Sequence, residues 1–211
     1  MSEGRASKTR GPFICKSIAT AFAALFGAAL ALLICFATPA TAGPSGMAQA
    51  PAPATLKVWS GPQKTPFSLD DLHGHRRELQ AFTGKIVLVH FFATWCEPCV
   101  REIGSLQRLA IATRGKPIAI VAVDVAEVDL RVRAFFEKLP VDFTVLLDRD
   151  RAVSKSWDVS ALPTTFVLDA NLTPKLFIEG DLDWSQPDVL TAIQSLYSAL
   201  NRPKLETANT R

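Results

Sequence analysis

Two apolar, β-branched runs constrain this chain more than any other feature: Ile86-Val87-Leu88-Val89-His90-Phe91-Phe92 and Ile118-Ala119-Ile120-Val121-Ala122-Val123-Asp124-Val125. Neither alternates polar with apolar residues, so each reads as a strand covered on both faces, the pattern of parallel strands in layered α/β domains. Between them, Val100 to Thr113 sets Ile103, Leu106, Leu109 and Ala110 on one side of a helix, and Gly115-Lys116-Pro117 stops it. Strand, helix and second buried strand make a parallel crossover. Where the first strand meets the helix stands Trp95-Cys96-Glu97-Pro98-Cys99. Two thiols spaced in this way can pass between dithiol and disulfide without unfolding anything. Unpaired N–H groups and the positive end of the helix dipole stabilise a thiolate on the first of them.

The other two cysteines, Cys15 and Cys35, lie in or beside an N-terminal hydrophobic segment. A zinc site uses the same CxxC spacing but needs a second Cys/His cluster. The three histidines, His73, His75 and His90, all precede the motif, so no metal is expected. A disulfide closing so short a loop restricts the unfolded chain little, which argues for a redox role over a structural one. No cofactor beyond a redox-active Cys96–Cys99 disulfide is expected.

Residues 1–42 read as targeting sequence. Arg5, Lys8, Arg10 and Lys16 against Glu3 form a positive n-region, residues 18–37 are uncharged and rich in Ala, Leu and Phe, and Ala40-Thr41-Ala42 resembles a cleavage site. Residues 18–37 approach the roughly 20 that span a bilayer, so a retained anchor and cleavage near Ala42 are both expected outcomes. Either places the remainder outside the cytoplasm, on the periplasmic side of an inner membrane. The n-region accounts for the whole formal charge of +3, leaving the rest balanced. No basic stripe interleaved with aromatics points to nucleic acid. A Pro/Ala-rich linker follows over 43–55, and 56–211 suits one domain.

Within that domain, Phe67-Ser68-Leu69 and Arg77-Glu78-Leu79 flank His73-Gly74-His75 as a hairpin. Val128 to Leu139 is a helix with Val132, Phe135 and Phe136 inward; Phe143 to Leu147 is extended; Arg151 to Trp157 makes a helical turn. Thr164 to Asp169 and Lys175 to Ile178 pair as strands, and a last helix opens near Pro187, with Val189, Leu190, Ile193, Leu196, Tyr197 and Leu200 as its apolar face. The order predicts an α/β fold: a thioredoxin-like three-layer sandwich with a mixed central sheet and an N-terminal β-hairpin extension.

Phe91-Phe92-Ala93-Thr94-Trp95-Cys96-Glu97-Pro98-Cys99 with Arg101-Glu102, and Trp157 to Phe166 around Leu162-Pro163-Thr164, resemble the TlpA/ResA-like (CcmG-like) branch of thioredoxin-fold proteins. The Phe67–Leu79 hairpin resembles that branch's N-terminal insert. The resemblance implies an extracytoplasmic thiol–disulfide oxidoreductase, a protein-disulfide reductase. Its clients would be disulfide-containing proteins, apocytochrome c or copper-site assembly proteins, and its electron donor a transmembrane reductase of the DsbD/CcdA type.

Cys96 is then the attacking thiolate and Cys99 the resolving thiol, more buried than its partner. Glu97 lies between them, and its charge disfavours a thiolate on Cys96. Glu102, one turn after Cys99, matches a family glutamate beneath the active site and is expected to accept the Cys99 proton. Glu127 matches a second such glutamate. His90 takes the place where thioredoxin keeps a buried acid, and both it and Glu127 are expected to tune thiol pKa values. Pro163 matches the family's cis-proline, with Leu162 and Thr164 flanking a groove where an extended substrate adds main-chain bonds. Trp95 shields the thiols and offers apolar contact; Trp157 and Trp184 read as packing residues. Two other readings remain: a disulfide oxidase or isomerase on the same fold, and a copper metallochaperone without redox turnover, whose thiols are soft Cu(I) ligands.

Overall fold

The computed structural model describes residues 55–200. The targeting segment over 1–42, nearly all of the 43–55 linker and residues 201–211 lie outside the described residues. The strands are β1 (Lys57–Val58), β2 (Ser68–Asp71), β3 (Arg76–Glu78), β4 (Ile86–Phe92), β5 (Ile118–Val125), β6 (Thr144–Asp148), β7 (Thr164–Leu168) and β8 (Pro174–Glu179). The helices are α1 (Glu97–Ala112), α2 (Asp129–Lys138), α3 (Ala152–Ser156) and α4 (Pro187–Leu200).

All eight strands form one sheet in the order β1-β8-β7-β4-β5-β6-β2-β3. The two runs that dominate the sequence are its centre. β4 pairs with β5 in parallel from Ile86↔Ile118 to Phe92↔Asp124, and β5 pairs with β6 in parallel. β7 is antiparallel to β4 and β8 to β7, which makes the sheet mixed.

Every β4 residue is buried, so alternation only assigns each side chain to a layer. Ile86, Leu88 and Phe92 pack with Ile103 and Leu106 of α1, Val132 and Phe136 of α2 and Val189 and Ile193 of α4. Val87, Val89 and Phe91 pack on the opposite face with Val153 of α3, with Trp157 just after it and with Phe67 and Leu79. Each such large apolar side chain contributes about 1.5–3 kcal/mol on full burial. Continuous apolar strands are thus explained by helices on both faces: this is the expected three-layer sandwich.

Three details differ from the sequence reading. β1 carries no sequence signal; its two exposed residues join the edge only by pairing with Phe177 and Leu176. Leu79 leaves the hairpin strand early and starts a 3₁₀ turn, Leu79–Phe82. Phe135 is half-buried, lying edge-on to Phe136 at 5.0 Å, because the inward stripe of α2 is Val132 and Phe136. The hairpin itself forms around Gly74 (φ 83), where Asp71 Oδ1 accepts the His73 and His75 N–H groups. β2 then adds it to β6, so the extension continues the main sheet.

Candidate active site

The chain leaves β4 at the C-terminal end of the parallel strands and turns straight into α1. Cys96 is the N-cap residue of that helix, in extended conformation, and its Sγ accepts the Cys99 N–H at 3.3 Å. Pro98 sits in the first turn, where its missing N–H leaves no bond unmade. Cys96 and Cys99 are joined in a disulfide, Cα atoms 5.2 Å apart. Cys96 retains 6 % exposure and Cys99 none, so an incoming thiol meets Cys96 first. A groove of about 580 Å³ opens beside it, lined among others by Trp95, Pro98, Ala126, Arg151 and Leu162.

The Leu162–Pro163 bond is cis. The Pro163 carbonyl accepts the Gly180 N–H at 2.9 Å, which ties the loop to the end of β8. Leu162 lines the groove, but Thr164 does not: it is buried in β7, and its hydroxyl donates to the Ala161 carbonyl at 2.8 Å. The expectation that Thr164 flanks a substrate is therefore corrected; already in register with Phe91 and Glu179, it shapes the loop from inside. Trp95 is 65 % exposed and free to touch a partner. Trp157 packs as expected, its indole N–H donating to the Thr65 carbonyl.

The acids around the dithiol separate into distinct roles. Glu97 is exposed and paired with Arg101 at 3.1 Å one turn on, so its charge is met along the helix surface. Glu102 is 3 % exposed; one carboxylate oxygen accepts the Trp184 indole N–H and the other has no partner. Burial pushes its pKa up to about 8, the Trp184 bond working against this and the Asp181 charge with it. Trp184 is thus more than the packing residue read from the sequence. Glu127 holds the turn before the motif: Thr94 donates its N–H to one oxygen and its hydroxyl, at 2.7 Å, to the other. Ala126 adopts φ 64 just before it, turning the chain from β5 toward Thr94.

His90 is completely buried, with Nδ1 2.9 Å from the Thr165 hydroxyl, Nε2 unpartnered and its ring stacked 6.0 Å from Phe92. Burial lowers its pKa to about 3, so the imidazole is neutral at physiological pH. It can offer a dipole there but is too weak a base to collect a thiol proton. Sequence reasoning passed over Asp124, taking it as one residue of a buried strand. It is 1 % exposed, and burial, reinforced by Glu127, raises its pKa to about 9. A lone acid inside an apolar run was the signal available. Among the described residues, no three His, Cys, Asp or Glu side chains gather as a metal site.

An accessible sulfur on a helix N-cap, a buried resolving sulfur and a groove beside a cis-proline suit dithiol–disulfide exchange with an extended polypeptide. Known thiol–disulfide oxidoreductases are similar to this chain. Residues 61–173 match the model of the AhpC/TSA family. A thiol-disulfide oxidoreductase ResA from Geobacillus kaustophilus is 35 % identical over 130 residues, covering 62 % of this chain and 74 % of that protein. The ResA of Bacillus subtilis is 39 % identical over 112 residues, covering 53 % of this chain and 63 % of that one. A crystal structure described as a thiol:disulfide interchange protein DsbE from Chlorobium tepidum superposes with a TM-score of 0.57 at 25 % identity, covering 66 % of this chain and 95 % of that one.

Proposed function

Because this chain belongs to the AhpC/TSA family, among its ResA-like thiol–disulfide oxidoreductases, we propose that its Cys96–Cys99 pair works as a reductant of particular protein disulfides. The direction rests on one observation: among the described residues Arg151 is the single groove cation, set against a helix start crowded with acids. An oxidant of this fold needs a strongly stabilised thiolate in its reduced form. Here the helix N-terminus meets Glu97 on the surface and the buried, neutral acids Glu102 and Asp124 beneath, while Arg101 is committed to Glu97 and Asp181 and Arg151 brings positive charge to the groove lining. A thiolate on Cys96 gains the helix dipole and one groove arginine, with Glu97 beside it opposing both, so the dithiol gives up its electrons readily.

In a turnover, Cys96 thiolate attacks a client disulfide and forms a mixed disulfide. Cys99 then attacks Cys96 Sγ, restoring the Cys96–Cys99 bond and releasing the reduced client. Trp95 and Leu162 flank the client chain, and the loop at Pro163 offers it main-chain bonds. The positive n-region and apolar residues 18–37 support a place on the periplasmic side of the inner membrane, as an anchored or a released protein. In that oxidising space a DsbD/CcdA-type membrane reductase supplies the electrons, and apocytochrome c or a copper-site assembly protein receives them.

Two measurements test this. The reduction potential is expected below about −200 mV, against about −120 mV for the oxidant DsbA; a value near the latter reverses the direction. A Cys99→Ser variant expressed in its own compartment is expected to hold a small set of clients on Cys96. Capture of secreted proteins at large would instead indicate a general oxidant.

A further inference from the structure

Asp124 is a buried ionisable group that the chemistry above leaves without a task. In β5 it stands in register with Phe92 of β4 and Leu147 of β6. Alternation turns its side chain to the face of Ile120 and Ala122, the layer that also holds Cys96, Cys99 and Phe92. β4 and β5 are parallel, so Asp124 lies at the sheet end from which the chain departs into the CxxC turn. Neither of its carboxylate oxygens is held by a well-formed hydrogen bond; burial and the carboxyl of its neighbour Glu127 raise its pKa, and the Glu127 backbone N–H works against this. An ionised carboxylate so placed is an uncompensated buried charge, and burial keeps the group in its acid form.

The other ionisable groups of this region each hold a partner on at least one atom. Glu127 holds Thr94 and lies 3.8 Å from Arg131; Asp129, at the start of α2, binds Arg149 at 2.7 Å and faces Arg133. Glu102 of α1 takes the Trp184 indole on one oxygen with the other unpartnered, and His90 of β4 takes Thr165 through Nδ1 alone. Asp124, with the Glu127 carboxyl beside it, is a buried acid at the sheet end in the same layer as Cys99, a sulfur that must gain and lose a proton in every cycle.

We propose that Asp124 and Cys99 exchange that proton. When a donor thiolate attacks Cys96 Sγ, the S–S bond breaks, its electron pair leaves on Cys99 Sγ, and the sulfur takes the proton of Asp124. When Cys96 later carries a client as a mixed disulfide, the Asp124 carboxylate takes the proton back. The Cys99 thiolate so formed attacks Cys96 Sγ, and the client leaves as thiolate. The buried layer returns to its starting charge. The proposal rests on dithiol exchange alone and holds in either redox direction.

Its test uses the reduced protein and Ellman's reagent, a small disulfide, so an error about client or direction does not touch the result. The first release of thionitrobenzoate reports attack by Cys96, the second resolution by Cys99. Asp124→Asn, nearly isosteric, is expected to leave the first phase within about twofold and to slow the second by at least about tenfold at pH 7, the low end of what a positioned acid–base group supplies. The second phase should also lose its wild-type pH dependence. Two phases unchanged, or both slowed alike as from a damaged fold, overturn the proposal. Independently of any variant, the carboxyl carbon resonance of Asp124 in the wild-type protein should titrate at least one pH unit apart in the oxidised and reduced forms; coincident curves overturn it.

Discussion

A buried carboxyl with a single donor is sensitive to that donor. Glu102 keeps its pKa near 8 because the Trp184 indole partly offsets burial. Trp184→Phe preserves much of the apolar volume and removes the N–H, so the Glu102 midpoint is expected to climb above 8, read from its carboxyl resonance. Stability should fall by about 1–3 kcal/mol for the lost bond, measured in urea. Cys96, Cys99 and Pro163 were legible in the sequence because their chemistry is local: a spacing at a helix start, and a proline in a recognisable context. The Trp184–Glu102 bond joins residues 82 positions apart, and no local pattern announces such a partner. Thr164 failed as a groove residue for the same reason, since strand register decided which way it faces.

Elements matter here by where they hold the loops. The segment before β2 is fastened by Lys64, 4 % exposed, whose Nζ donates to the Trp157 carbonyl at 2.7 Å and lies 3.1 Å from Asp158 Oδ2. It also stands 4.8 Å from the Trp59 ring and 5.1 Å from Phe166. Trp157 and Asp158 begin the stretch that leads to Leu162 and Pro163, so an N-terminal strap sets the root of the docking loop. Lys64→Met retains the apolar stem and leaves the Trp157 carbonyl without its donor. The expected loss is about 1–3 kcal/mol in urea, with slower reaction toward a protein disulfide than toward Ellman's reagent. Equal slowing of both would assign Lys64 to stability alone. The central strands and α1 were readable because period and burial agree over many residues. β1 was not, because two exposed residues acquire strand structure only from the edge that receives them.

For the molecule as a whole, one apolar layer encloses three ionisable groups in their neutral forms, and each gives stability a pH slope of up to about 1.4 kcal/mol per unit. Glu102 and Asp124 have folded pKa values raised to about 8 and about 9. Unfolding releases their protons at any pH between the ordinary carboxyl range and those values, so their effect makes stability fall as pH rises through that window. His90, lowered to about 3, works oppositely: the unfolded chain binds a proton below about 6.5 that the folded chain refuses, so stability falls as pH drops. Asp71, whose pKa burial raises but the His75 N–H, Arg77 and the His73 N–H together lower to about 2, adds a further loss below about pH 4. Between about pH 4.5 and 6.5 the two acids outweigh the one histidine, and above that range nothing in this set opposes them. The disulfide form is therefore expected to melt highest near pH 4 to 5 and to lose stability steadily toward pH 9. A protein with both Asp124→Asn and Glu102→Gln should lose that decline and shift its maximum above pH 6.5, where His90 no longer titrates. A thermal-melting series across pH 3 to 10 decides between the two profiles, and a wild-type maximum at pH 7 or above would show that these acids ionise inside the folded protein.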